Sequence, residues 1–267
     1  PDALGALDRL YRDERDWEPY VEILRARIEL DNPEEELIDL KYRLGTTLEK
    51  HLGDPAGALE NYREILFLDQ ANEPARIALE HLLENPELRA ETASILQEIY
   101  ETHGDWPKLV GALEILAENE QESGRRVALL RKVGRVAAEN LEDLPKAIDA
   151  VARALREDPT SGDTLAELEQ LAGHAGAWDK LGEILSSIAE NLGDPQLARA
   201  YWMRLASIDE RLGKIDEAAQ RYLKVLDIDP ADQEALAAMD ALYRKTERWD
   251  DLVGVYRRRI DLAEDTS

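Results

Sequence analysis

Cysteine is absent from this 267-residue sequence, and phenylalanine occurs once. The first absence excludes disulfides, thiol nucleophiles and thiolate metal sites. Aromatics make up only 6% of the chain, so residues that favour strands are in short supply. Glycine (15) and proline (11) are too few for a loop-dominated or collagenous chain. Positive charge is also scarce: 33 Lys and Arg against 58 Asp and Glu leave a net charge of −25. That balance opposes nucleic-acid binding, which needs Lys and Arg to displace counterions from phosphates. No apolar run approaches the roughly 20 residues that a membrane-spanning helix requires. Neither nucleic acid nor membrane is therefore expected as a partner. The chain opens Pro-Asp-Ala-Leu, with no basic-then-apolar leader.

What is present is a helical composition dominated by Ala, Leu, Glu and Arg, with 44% hydrophobic residues, enough to build a core. A tryptophan recurs: Trp17, Trp106, Trp178 and Trp249 lie 89, 72 and 71 residues apart. Apolar residues follow each at helical spacing, as in Tyr20, Val21, Leu24 and Ile28 after Trp17, or Leu252, Val253, Tyr256 and Ile260 after Trp249. These offsets mark one face of an amphipathic helix and predict that the tryptophans are core. Between them runs a second pattern: Ala58, Ala147 and Ala218, each followed four residues later by Tyr62, Val151 or Tyr222. Upstream, Leu44-Gly45, Val133-Gly134 and Leu205-Ala206 supply small residues where helices can approach closely. One residue is inserted between Gly45 or Gly134 and the Ala that follows. Asp54-Pro55, Asn85-Pro86 and Asp194-Pro195 read as a cap followed by Pro in the first turn.

The markers predict units of about 34 residues, the period of a helical hairpin repeat, starting near 1, 38, 90, 127, 162, 199 and 233. Residues 73–89 remain over and carry Ile77, Ala78, Leu82 and Leu83 on one helical face. The expected architecture is an all-α solenoid over 1–267, a single continuous array of about seven antiparallel hairpins plus one extra, unpaired helix at 73–89. Both ends lack polar capping repeats: Leu4, Leu7 and Leu10 start at once, and Ile260 and Leu262 sit close to the last residue. We expect an excerpt of a longer array, whose uncapped terminal repeats would permit end-to-end self-association.

Catalytic constellations are missing. His51, His81, His103 and His174 fall in separate units, with no spacing that places two metal ligands on one helix face. Gly173-His174-Ala175-Gly176 reads as a helix-ending turn rather than a phosphate loop. No enzyme, metal or cofactor is expected. Many acids have a base four residues on, as in Asp8/Arg12, Asp39/Arg43, Glu210/Lys214, Glu217/Arg221 and Asp240/Arg244, and predict helix-supporting ion pairs.

The series Trp202, Leu205-Ala206, Gly213, Ala218, Tyr222, Val225, Pro230 resembles the consensus of tetratricopeptide repeats. The Trp-led units depart from it, placing an indole where the family has smaller residues, and resemble a divergent form in long bacterial multi-repeat proteins. The resemblance implies a right-handed superhelix whose first helices line a concave groove, and a role in binding a protein or peptide. Carried onto this chain, it sends Arg9, Arg12, Tyr42, Thr46, Lys50, Arg131, Arg135, Met203, Ser207, Arg211 and Arg244 toward the groove. Arg131 and Arg135 lie one turn apart, with Arg125, Arg126 and Lys132 nearby, a cluster suited to an acidic peptide. The Lys/Asn arrangement of the family's chaperone-tail clamp is missing. A structural spacer within a larger protein is the alternative function.

Overall fold

The computed structural model describes residues 2–265, with side chains described for 3–260. Leu262, expected on an uncapped last face, falls outside the described side chains. The fold is all-α, with no strand among the described residues. Contacts divide the chain into two compact units, residues 1–150 and 151–267. The first holds α1 (Asp2–Glu14), α2 (Trp17–Ile28), α3 (Glu34–Thr47), α4 (Pro55–Leu68), α5 (Glu73–Leu82), α6 (Arg89–His103), α7 (Trp106–Asn119), α8 (Ser123–Asn140) and the start of α9 (Leu144–Glu157). The second holds the rest of α9, α10 (Gly162–Ala175), α11 (Trp178–Asn191), α12 (Pro195–Arg211), α13 (Ile215–Ile228), α14 (Gln233–Lys245) and α15 (Trp249–Asp265). None of these helices is long and apolar enough to cross a membrane.

Two kinds of turn alternate along the chain, except that both links flanking α5 are of the looser kind. Seven residues among those described have left-handed backbone: Arg15, Gly53, Gly104, Glu142, Gly176, Gly213 and Glu247. Each lies in a tight link between two helices that pack together or follow directly. In five links the amide of Asp16, Asp105, Ala177, Lys214 or Arg248 donates to the carbonyl five residues back, at 2.8–2.9 Å. That bond satisfies a carbonyl orphaned at the end of the helix. In the other two the bond reaches six residues back, from Asp54 to Leu48 and from Asp143 to Ala137, both at 2.9 Å. These are the two places where the sequence carries one extra residue. At the first, Leu48–Leu52 widens into a π-helical turn that absorbs it.

The looser turns cap the next helix. Asp69, Asp158 and Asp229 each accept from an amide two residues on, and Asn72, Ser161 and Asp232 then cap α5, α10 and α14. Asp54 and Asp194 cap α4 and α12 as expected. Asn85 does not: it accepts from Glu87 within the turn, and α6 begins only at Arg89. Here Asn85 closes a local turn instead of opening the helix.

The core follows the small-residue pattern. Ala58, Ala147 and Ala218 are fully buried, and Tyr62, Val151 and Tyr222 pack inside one turn later. Each wholly buried leucine, such as Leu24, Leu40 or Leu96, contributes about 1.5–3 kcal/mol relative to exposure. The tryptophans correct their expectation. Trp202 is buried, whereas Trp17, Trp106 and Trp178 are half-buried and Trp249 is 58% exposed. Each repeating indole is the first residue of its helix, one turn ahead of the buried stripe that follows it. Trp17 stacks on His51 with ring centroids 3.9 Å apart, and Trp178 lies beside Gly173.

Ion pairing also departs from the i,i+4 expectation. Of the five pairs expected, Asp39–Arg43 and Asp240–Arg244 form as such, at 3.4 and 3.1 Å. Asp8 is 3% exposed and takes Arg27 of α2 and Arg43 of α3 in place of Arg12. Lys214 turns to Asp179, Glu210 accepts from the Tyr222 hydroxyl, and Arg221 faces Asp209 at 3.5 Å. A buried carboxylate demands a charged partner, and the packed neighbour supplies it better than the exposed residue one turn away.

Candidate protein-binding surface

Equivalent helices of successive hairpins are tied by ion pairs. In the first unit Arg43 of α3 meets Asp8 of α1, and Lys132 of α8 meets Glu101 of α6 at 2.7 Å. Lys146 of α9 meets Glu114 of α7 at 3.7 Å. In the second, Arg204 of α12 bonds Glu169 of α10 at 2.6 Å, and Arg199 bonds Glu234 of α14 at 2.7 Å. First helices therefore neighbour first helices, and second helices neighbour second ones.

Helix α4 breaks that order. Its Arg63 lies 3.9 Å from Glu91 of α6, and a cleft opens between the two helices. Helix α5 in turn faces α7: Lys108 bonds Glu80 at 2.8 Å, and Tyr100 of α6 adds a bond to the same carboxylate at 3.1 Å. Burial alone would raise the Glu80 carboxyl, but these hydrogen bonds and Arg76 outweigh it and hold it below the usual range. Thus α4 closes a tight turn with α3 as a second helix, yet stands beside α6 as a first helix would.

The sequence-derived surface residues divide accordingly. Arg9 and Arg12 are exposed on α1, with Arg12 3.7 Å from Asp13. Tyr42 is half-buried on α3, its ring 5.9 Å from that of Tyr62, and Thr46 accepts from the Tyr62 hydroxyl at 3.5 Å. Lys50 is exposed in the π-helical turn. Arg131 and Arg135 are on α8, two helices along a row that runs through α6 to α4 rather than to α3. The structure does not bring them beside the α1 and α3 set. In the second unit Met203, Ser207 and Arg211 follow one another along α12, half-buried, exposed and exposed. Arg244 on α14 is engaged by Asp240 and by the Tyr256 hydroxyl and ring.

The basic cluster is largely neutralised. Arg125 pairs with Glu122 at 2.8 Å, Lys132 with Glu101, and Arg126 donates to the Glu120 carbonyl at 2.7 Å. Arg131 is half-buried and has partners of its own, while Arg135 is exposed. Among the described residues no group of three metal-ligating side chains converges. His103 is tied to the Ile99 carbonyl at 2.8 Å, and His51, though exposed, stacks against Trp17. Sequence reasoning passed over Phe67. It is the one phenylalanine, falls off the apolar stripe of α4, and is 87% exposed. An aromatic one position outside an otherwise regular stripe was the available signal.

Residues 200–232 and 235–267 each match the tetratricopeptide repeat family. Over those residues the chain is tetratricopeptide-like; as a whole it is an all-α protein built of paired helices. No curated protein sequence matches it. Similar solved structures include MamA, at 16% identity and TM-score 0.31, covering 67% of this chain and 93% of that one. Pseudomonas aeruginosa pilF, at 16% identity and TM-score 0.30, covers 92% and 96%. The TPR2AB domain of yeast Sti1, in a pHSP90 complex, has 20% identity and TM-score 0.28 over 83% and 84%. At these scores the likenesses say nothing of a site.

Proposed function

We propose that this protein is a non-catalytic scaffold that binds a protein segment across exposed side chains of its first helices. The family match over residues 200–232 and 235–267 carries this reading, since tetratricopeptide repeats are interaction modules. The row Met203, Ser207 and Arg211 on α12, within the matched region, offers mixed polar and apolar groups on a helix held by Arg199 and Arg204 to its neighbours. Such a row gives preorganised contacts at low entropic cost. The neutralised state of the α8 cluster leaves little free positive charge to select an acidic segment.

The test is site-specific photo-crosslinking in lysate of the source cells. A benzophenone amino acid at Ser207 should give a discrete adduct, while the same group at Lys224, exposed on α13, should not. Adducts from Lys224 alone would move binding to the second helices. Their absence at both positions would favour the second reading, a structural spacer, which the ion pairs bracing successive helices also suit.

A further inference from the structure

The break in helix order leaves a cleft of about 350 Å³ between α4 and α6. Its lining is mixed: Leu66, Phe67, Ile95 and Ile99 supply the apolar part, and Arg63, Gln70, Ser94, Glu98 and Thr102 the polar part. At that volume, near the low end of the ~300–1,000 Å³ typical of ligand pockets, it admits a side chain or two rather than a helix. Phe67 stands in water although the adjoining Leu66 and Ile99 are 4% and 7% exposed. A lone exposed apolar residue needs no explanation, but Phe67 stands with Leu66, Ile95 and Ile99 in a cleft of mixed lining, where a bulky apolar side chain can anchor.

Charge selects the occupant. Helices α4 and α6 carry Glu60, Glu64, Glu91, Glu98 and Glu101 against Arg63 and Arg89. Arg63 serves Glu60 and Glu91, Lys41 serves Glu64, and Lys132 serves Glu101. Glu98 is exposed and forms no ion pair among the described residues, Arg63 in the same cleft being paired with Glu60 and Glu91. The whole chain, at −25, repels an acidic approach and draws a basic one. An ammonium or guanidinium next to the anchor would meet Glu98 and could lie over the Phe67 ring.

We propose that the α4–α6 cleft binds a basic protein segment that inserts one bulky apolar side chain beside Phe67 and sets a neighbouring Lys or Arg against Glu98. This deepens the scaffold reading but does not use the α12 row.

Fluorescein-labelled nonapeptides with a central Trp or Leu flanked by Lys, and matched peptides with Glu for each Lys, would be titrated by anisotropy. The full chain should bind the Lys-flanked peptides at least tenfold more tightly. Phe67→Ala, at a position exposed enough to leave the fold intact by circular dichroism, should weaken them at least fivefold. Glu98→Lys should reverse the preference toward the Glu-flanked set, and Arg131→Glu/Arg135→Glu should change neither. Equal or better binding of Glu-flanked peptides, no binding of any, or no effect of Phe67→Ala would each overturn the proposal. Self-association lost on Phe67→Ala in sedimentation would overturn it in favour of a second copy. A Ser207 adduct without Lys-flanked peptide binding removes the cleft and keeps the scaffold. Peptide binding without that adduct does the opposite.

Discussion

The ring of Tyr62 on α4 lies directly over Gly45 on α3: a methyl group at 45 would come within 2.7 Å of the ring's Cε1. Tyr62 is 1% exposed and its hydroxyl bonds Glu49 at 2.9 Å, so the ring cannot swing aside cheaply. Burial pushes that hydroxyl's proton affinity up, and the Glu49 bond adds to it. Gly45→Ala should therefore cost about 1–3 kcal/mol by overpacking, visible as a lower urea midpoint. Gly111, with nothing within 4 Å of an added methyl, should tolerate Ala or gain from it. Equal responses at the two positions would show that α3 and α4 are not in close approach.

Left-handed backbone at Glu142, φ 54°, makes the opposite prediction. A non-glycine residue there carries a strain of about 1–2 kcal/mol that glycine avoids at some entropic cost. Glu142→Gly should raise stability by about 0.5–1 kcal/mol, as should Arg15→Gly and Glu247→Gly. Denaturant titration of each single variant checks this. A loss at all three would mean that the side chains contribute more than the strain removes.

These turns show what could be read in advance. The helical pairs were legible because Ala58, Ala147 and Ala218 recur with their small and aromatic partners, and burial enforces that spacing. The turns at Arg15, Glu142 and Glu247 lack the glycine that marks the other four, so tertiary packing imposes their conformation over local preference. Long-range charge choice was not legible. Asp8 has Arg12 one turn away in sequence, yet folding puts Arg27 and Arg43 against it. The neighbour of α6 was equally hidden. Whether α3 or α4 lies there depends on how α5 packs, through Glu80 and Lys108, 28 residues apart in sequence. The surface set on α1, α3 and α8 rested on an unbroken row of first helices, and so missed Phe67.

Asp232 predicts a dependence on pH. Hydrogen bonds from Arg199 lower its carboxyl below the ordinary value, against an opposing effect of burial, and the Ala235 amide of its own cap at 2.8 Å adds to the shift. A carboxylate whose folded pKa is depressed stabilises the fold above its unfolded value near 4 and loses that contribution as pH falls through the folded value. Asp232→Asn can still cap α14 but cannot hold Arg199 as strongly. It should cost about 1–2 kcal/mol at pH 7, and the gap from the parent should close as pH drops below about 4. A gap independent of pH would assign the loss to capping geometry rather than charge.

Glu80 supplies the sharpest check on the order of helices. Its carboxylate gathers Arg76 at 2.5 Å, Lys108 at 2.8 Å and Tyr100 at 3.1 Å, drawing α5, α6 and α7 onto one side chain. Lys108 is substantially exposed, so its single bond is worth little against solvent screening, and the Tyr100 bond from a buried ring carries more. Glu80→Gln should cost less than Glu80→Ala, because an amide still accepts from Tyr100. The alanine variant should lose about 1–2 kcal/mol, with the loss shrinking in acid because the parent carboxyl, depressed in the fold, then protonates. In a double-mutant cycle, Glu80→Ala with Tyr100→Phe should be less than additive, and Glu80→Ala with Arg43→Ala additive. Additivity with Tyr100→Phe would mean that α5 is not seated against α6 as described, and the cleft between α4 and α6 would lose its structural basis with it.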